Sequence, residues 1–283
     1  MFSLATSDSF ERAVTATQLG RRCAWRLARR YVAGETLQDA LAVAEALARD
    51  GLTSSIDLFG ERTRDPQHAD RVSDTYVEMA EALNDAPAGS WLSLDLSHLA
   101  LATDARRARS RLDRIGAALP DGVRLQIGAE EAALTDAVLD AVLHASDGSR
   151  LSATVQANLR RSPADAERLA AAGVPIRLVK GAYVETPNAA LPYGDATDLA
   201  YLDLARRLGA LGAETYLATH DAILREACRL AVPDATIEML LGVRPDVAHA
   251  LAVDPSTQVR IYVPYGPRWF RYAMRRFAEA RGS

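Results

Sequence analysis

Near the end of the chain, Tyr272, Arg275, Arg276 and Glu279 recur at spacings of three and four residues. In a helix, those spacings put the four side chains on one face. Two guanidiniums then point the same way, and the acid one turn further on can orient one of them. Paired arginines present planar, forked donors that suit a carboxylate or a phosphate. A solvated helix face would carry the same residues, and most arginine pairs in a terminal helix do no more than that. Here the run follows directly on an apolar strand at 259–263 and a turn at 264–267, a setting that favours a site for a small anionic ligand.

A second concentration of chemistry is the stretch Ile176-Arg-Leu-Val-Lys-Gly-Ala-Tyr183. Lys180 at the end of a strand invites an imine-forming role. Against it, Arg177 lies on the same strand, and nothing in the sequence desolvates the amine. Other polar residues stand where apolar runs end: Asp57, Asp95, Gln156, Asn158, Thr219, His220 and Glu238. His220 beside Asp221 could serve a metal or an acid/base pair. With five histidines and no H-x-H or H-x-x-x-H spacing, the reading is of no metal site and of a packed or ligand-touching histidine. Glu130 and Glu131 suit the start of a helix.

Elements must hold these residues together. Eight short β-rich runs recur at 54–59, 91–96, 123–127, 151–157, 175–180, 214–219, 235–240 and 258–263. Helical segments rich in Ala, Leu and Arg lie between them, for example at 104–118, 132–143, 163–172, 197–211 and 222–230. Strands alternating with crossover helices predict a parallel sheet, and eight such units predict a (β/α)8 barrel. Several strands read as nearly continuous apolar runs, as when both faces are covered. A doubly wound open sheet would need a phosphate-binding Gly-rich turn after the first strand, and Phe59-Gly-Glu-Arg is not one. Helical pattern at 10–31 and 37–48 predicts an N-terminal cap over about 1–50, ahead of a barrel over about 51–283, all as a single domain.

Bulk properties narrow the function classes. At 283 residues and 49% apolar composition the chain can bury a full-sized core. Net charge is −4, and no basic cluster is interleaved with aromatics, so no nucleic-acid partner is expected. Cys23 and Cys228 lack metal or disulfide-scaffold spacing. No apolar run approaches membrane-spanning length and no secretion signal is evident, which predicts a cytoplasmic protein.

Taken together, the segments resemble the FAD-dependent proline dehydrogenase family, of the monofunctional bacterial type. The matches are Arg177-Leu-Val-Lys-Gly-Ala-Tyr183 and the final-helix pattern Tyr272-x-x-Arg-Arg-x-x-Glu279, supported by Asp57-Leu-Phe-Gly-Glu61, Gln156-Ala157, Ala218-Thr-His220 and Arg260-Ile-Tyr-Val-Pro264, all in family order. The resemblance implies a distorted barrel whose last helix sits over the strand ends. It implies that Arg275 and Arg276 grip the substrate carboxylate, Tyr272 packs on the substrate ring, Tyr183 forms pocket wall, and Glu279 supports an arginine. FAD would lie across the strand ends, touching Ala129, Gln156, Lys180, Gly181, Ala182, Thr219 and His220. Arg177 would act catalytically near flavin N5. The small Gly181-Ala182 pair would let backbone approach the ligand. The reaction implied is oxidation of L-proline to 1-pyrroline-5-carboxylate by hydride transfer to FAD. Electrons would pass to a quinone, and the partners would include a pyrroline-carboxylate dehydrogenase. A lipid-soluble acceptor would suit peripheral contact with the inner face of a membrane.

Three positions depart from the family pattern. Asp95 stands where the family usually carries a lysine that binds substrate carboxylate, Gly128 where it carries an acid, and Asn158 where it carries a tyrosine. Exchanging a cation for an anion weakens carboxylate binding by electrostatics alone. Proline oxidation with the clamp reduced to the two arginines is the primary reading. Alternatives are a related cyclic or N-substituted amino acid whose ammonium meets Asp95, and a non-catalytic flavin- or metabolite-binding barrel.

Overall fold

Eight parallel strands, each paired with the next and the last with the first, close into a barrel. The computed structural model describes residues 8–60, 62–145 and 148–282, without the side chains of residues 8, 9, 149 and 278–282. In order, the elements are α1 (Asp8–Thr15), α2 (Gln18–Ala28), α3 (Leu37–Arg49), β1 (Thr53–Leu58), α4 (Pro66–Ala82), β2 (Trp91–Leu94), α5 (Ala105–Ala118), β3 (Leu125–Ile127), α6 (Thr135–Leu143) and β4 (Leu151–Gln156). Then come α7 (Ser162–Ala171), β5 (Ile176–Val179), α8 (Asp195–Ala210), β6 (Thr215–Ala218), α9 (Ala222–Arg229), β7 (Thr236–Leu240), α10 (Pro245–Ala252), β8 (Val259–Tyr265) and α11 (Trp269–Gly282). All eight expected strands form, and the (β/α)8 reading holds.

Two crossover helices, α4 and α10, add to those read from the sequence. Each starts with a proline in its first turn, where the missing N–H has no intrahelical partner to lose. The long N-terminal helical pattern divides in two, because the Thr17 side chain accepts from the Gly20 amide and starts α2 afresh. Strand β8 runs two residues further than expected, and its end pairs with β1 up to Leu58↔Tyr265.

The strands are not apolar on both faces, contrary to expectation. Ile56, Leu92, Leu94, Leu125, Ile127, Ile176, Leu178, Leu217, Ile237 and Ile261 join the helices in the main core. Between them alternate Ser55, Asp57, Trp91, Ser93, Gln126, Thr154, Arg177, Tyr216, Glu238, Arg260 and Tyr262. Contacts across the barrel show that this second set lines the lumen. The Trp91 and Tyr216 rings, from β2 and β6, lie 5.3 Å apart, and the Arg260 guanidinium sits 3.4 Å from the Trp91 ring centroid. A polar lumen mixed with hydrophobic positions mimics a continuous apolar run only where the inward residues are small or aromatic.

The last helix does not follow the barrel wall. Trp269, Phe270 and Ala273 of α11 bury against Ala24 and Ala28 of α2 and against Tyr31 and Val32. Trp25 and Trp269 meet edge to face at 4.9 Å, and the Trp269 indole N–H donates to Glu35 at 2.9 Å. The N-terminal helices thus hold α11 where Tyr272 meets Phe59, just past β1, and Tyr262 of β8.

Candidate active site

Strand ends and the overlying helix converge at one mouth. At its floor, Glu238 accepts from the Arg260 guanidinium at 3.1 Å and lies 3.7 Å from Arg177. Arg260 and Glu238 are buried. The Arg177 Nε donates to Thr154 Oγ1 at 3.1 Å, its Cα partner on β4. Arg177 is therefore fixed at two points, its plane set by a neighbouring strand and by a carboxylate shared with a second arginine. That buried set is strongly coupled, because removing any one charge leaves the others uncompensated.

Asp57 is also buried. Burial pushes its carboxyl up to about 6, against hydrogen bonds from Tyr262 and Tyr76 and the attraction of Arg177. The Tyr76 hydroxyl donates at 2.9 Å. Neither Tyr76 nor Tyr262 was singled out in the sequence; Tyr262 follows the inward alternation of Arg260, which was the available signal. Both hydroxyls are pushed well above their ordinary range, first by burial and then by the field of Asp57, with Asp95 adding to it. The mouth thus carries Asp57 on β1 and Asp95 just past the end of β2.

Asp95 and Gly128, read separately as departures, turn out to be one feature. A Cβ on Gly128 would fall 1.7 Å from Asp95 Oδ1. The carboxylate occupies the volume that any side chain at position 128 would fill. A similar exchange governs Gly181. Its φ is +128°, and a Cβ there would meet Asn158 Oδ1 at 2.1 Å. The absent side chain leaves room for the Asn158 amide, which is 2% exposed. Gly60 of the Asp57-Leu-Phe-Gly run makes room likewise for the His98 ring. Burial, then the charge of Arg268, lowers His98 to about 4, so it is neutral.

The remaining predicted residues gather on the same face. Gln156 donates to the Glu130 carbonyl at 2.9 Å and its Oε1 accepts from the Ala182 amide at 3.3 Å. Tyr183 donates to the Ala129 carbonyl at 3.1 Å. Lys180 pairs with Asp198 at 2.6 Å and Asp221 at 3.3 Å. Partial burial alone would lower its amine, but these carboxylates outweigh it and raise the pKa. Lys180 is a held cation, which argues against the imine reading. Thr219 accepts from the Asp221 amide at 3.2 Å. His220 accepts from the Leu240 amide at 3.2 Å. Burial and then Arg244, Arg276 and Arg225 lower it to about 4. Among the described residues, its buried Nδ1 has no partner. Beside it, His220, Asp221, Ala222, Ile223 and Arg244 line an open groove of about 440 Å³.

From α11, the Arg276 and Arg275 guanidiniums lie 5.3 and 6.0 Å from the Tyr272 ring centroid. Arg276 and Tyr272 are half-buried, whereas Arg275 is exposed. Arg276 acts on His220 electrostatically, which ties the helix to the groove. The Glu279 side chain, expected to support an arginine, lies outside the described residues. Among the described residues, no group of three or more His, Cys, Asp or Glu could hold a metal ion.

Known proteins resemble the chain throughout. A family model described as proline dehydrogenase matches residues 40–283. Proline dehydrogenase 1 of Bacillus subtilis subsp. natto is 31% identical over 275 residues, covering 94% of this chain and 91% of that protein. A proline dehydrogenase of Deinococcus radiodurans is 30% identical over 283 residues, with 93% and 89% covered. Among solved structures, proline utilization A from Bdellovibrio bacteriovorus, inactivated by N-propargylglycine, superposes with a TM-score of 0.83 at 20% identity. That likeness shows the fold; it covers 99% of this chain but only 36% of the larger one.

Proposed function

The chain belongs to the proline dehydrogenase family, and from that premise we propose that its barrel mouth oxidises L-proline against a bound FAD. It is an enzyme of proline oxidation. The observation that carries the reading is the seat of α11 over the strand ends, which sets Tyr272 and its two arginines above a lumen holding Arg177.

The residues present fit an anionic dinucleotide. The groove at His220 offers a buried ring nitrogen without a partner among the described residues. Arg244 lines the same groove, and Lys180 stands close by as a held cation. Gln156, Lys180, Gly181, Ala182, Thr219, His220 and the backbone at Ala129 would hold the cofactor. When bound, FAD supplies a two-electron acceptor at N5. Arg177, its guanidinium fixed by Thr154 and Glu238, would donate toward that edge and stabilise negative charge gathering there.

Proline would present its carboxylate to Arg275 and Arg276, a charge-assisted pair. Its ring would pack on Tyr272, with Tyr183 as wall. As the ring carbon next to nitrogen gives up hydride, nitrogen releases a proton and the C=N bond of 1-pyrroline-5-carboxylate forms. Holding carbon and acceptor in register is the main catalytic task of such a site. Electrons would leave to a quinone, which suits peripheral work at the inner face of a membrane. Among the described residues no helix is long and apolar enough to cross one. The labile cyclic imine suits transfer to a partner pyrroline-carboxylate dehydrogenase, with residues 1–283 acting as one unit.

A second reading has support in Asp95. Its carboxylate, like that of Asp57, acts on Tyr262 at the mouth, so the ammonium of a related cyclic or N-substituted amino acid would be stabilised there. The absorbance spectrum tests both readings. A yellow protein bleached by anaerobic proline is the expected result. Bleaching by N-methylproline but not proline would favour the altered substrate. A yellow protein that neither amino acid bleaches would leave a binding role. A colourless protein that FAD cannot reconstitute would defeat all three.

A further inference from the structure

Residues 12–34 contain six arginines and neither Asp nor Glu, in a chain whose net charge is −4. Most of that charge lies on or just after α2. One side of the helix is spent on α11 through Ala24 and Ala28. The opposite side presents Leu19, Arg22, Cys23, Arg26, Leu27 and Arg30, all exposed. Leu19 is 74% exposed and Leu27 46%, and Leu19, Cys23 and Leu27 form a row at intervals of four. Arg21 is paired with Glu35, and Arg30 donates to the Gly242 carbonyl. Arg22, Arg26 and Arg29 make no ion pair with any described residue.

We propose that this face of α2 docks on an anionic lipid bilayer. An apolar row flanked by arginines matches the boundary between headgroups and acyl chains: leucines enter the boundary while guanidiniums meet phosphates. A nucleic acid would be matched by the arginines but would leave two exposed leucines against a polar backbone. A second copy of the helix would bring like charges together. Long arginine stems can lie along such an apolar row while keeping their charge in water. Since α2 is the element on which α11 rests, the membrane would lie on the outer side of the helix pair that closes the mouth. The inference deepens the reading of a lipid-soluble acceptor and rests on it for its purpose, though not for its test.

The test is co-sedimentation of the whole protein with phosphatidylcholine vesicles, with and without phosphatidylglycerol. Binding is expected only to the anionic vesicles, and it should weaken as salt is raised. Arg22→Glu/Arg26→Glu should lower the affinity by at least about tenfold, since each surface charge contributes several-fold. Turnover of proline with a soluble dye should stay unchanged, which shows that the variant folds. Leu19→Ser/Leu27→Ser should weaken binding while keeping its salt dependence. Absence of binding to anionic vesicles, equal binding by the arginine variant, tighter retention on duplex DNA, or a dimer that the arginine variant dissolves would each overturn the proposal. Failure to reduce a quinone in vesicles that do bind the protein would count against the acceptor, and leave docking intact.

Discussion

At the scale of single residues, the site is governed by exchanges of volume and charge. Arg276 is half-buried and acts on His220, while Arg275 is exposed. A charge-assisted hydrogen bond is worth roughly 1.5–3 kcal/mol, or about ten- to a hundredfold in binding. Arg276→Met should therefore raise KM for proline within that range and Arg275→Met toward its lower end. The ratio of flavin to protein absorbance should stay at the wild-type value; equal loss of flavin would contradict a role toward substrate carboxylate. Gly128 and Asp95 form a coupled pair, because a Cβ at 128 would meet Asp95 Oδ1 at 1.7 Å. Gly128→Asp alone should destabilise by a few kcal/mol, through overpacking and two apposed carboxylates. Adding Asp95→Lys should recover most of that loss and tighten proline binding, measured by denaturant unfolding and by KM. Additive losses would show that the two positions do not interact.

At the scale of elements, the closing helix is held by its partner more than by the barrel. Trp269 is 2% exposed, meets Trp25 and donates to Glu35. Trp269→Ala should cost about 3 kcal/mol from lost burial. It should also raise KM for proline more than it lowers bound flavin, because the groove residues are carried by the segments that follow β6 and β7 rather than by α11. Calorimetry and steady-state kinetics check both halves. Unchanged KM would mean that α11 keeps its place without α2. In the sequence, the i, i+3, i+4 spacing of 272, 275 and 276 already marks one face of α11, and the helical pattern at 10–31 marks α2. It held no sign that the two pack together, since Ala24 and Ala28 are small residues whose partner lies some 240 positions away.

At the scale of the whole molecule, the barrel encloses charge, and that makes stability depend on pH. Asp57 ionises at about 6 in the fold, against an ordinary value of 3.8. As pH rises from 4 to 6 the unfolded chain gives up this proton first, so the group's contribution to stability falls through that window, by up to about 3 kcal/mol, and is flat above it. The stability difference between wild type and Asp57→Asn, from urea unfolding across pH 4 to 7, should shift toward the variant as pH rises. A pH-independent difference would place the carboxyl at its ordinary value. By itself, the sequence determined the eight strands, their closure into a barrel, and the family, because each is written in local patterns: alternating strand and helix periods, and motifs contiguous in the chain. Only the tertiary structure decided that Gly128 yields to Asp95, that Gly181 yields to Asn158, and that Glu238 is shared by Arg177 and Arg260. Each of these joins residues on, or just past the ends of, different strands, and which of them meet depends on strand tilt and register, which no stretch of sequence records on its own.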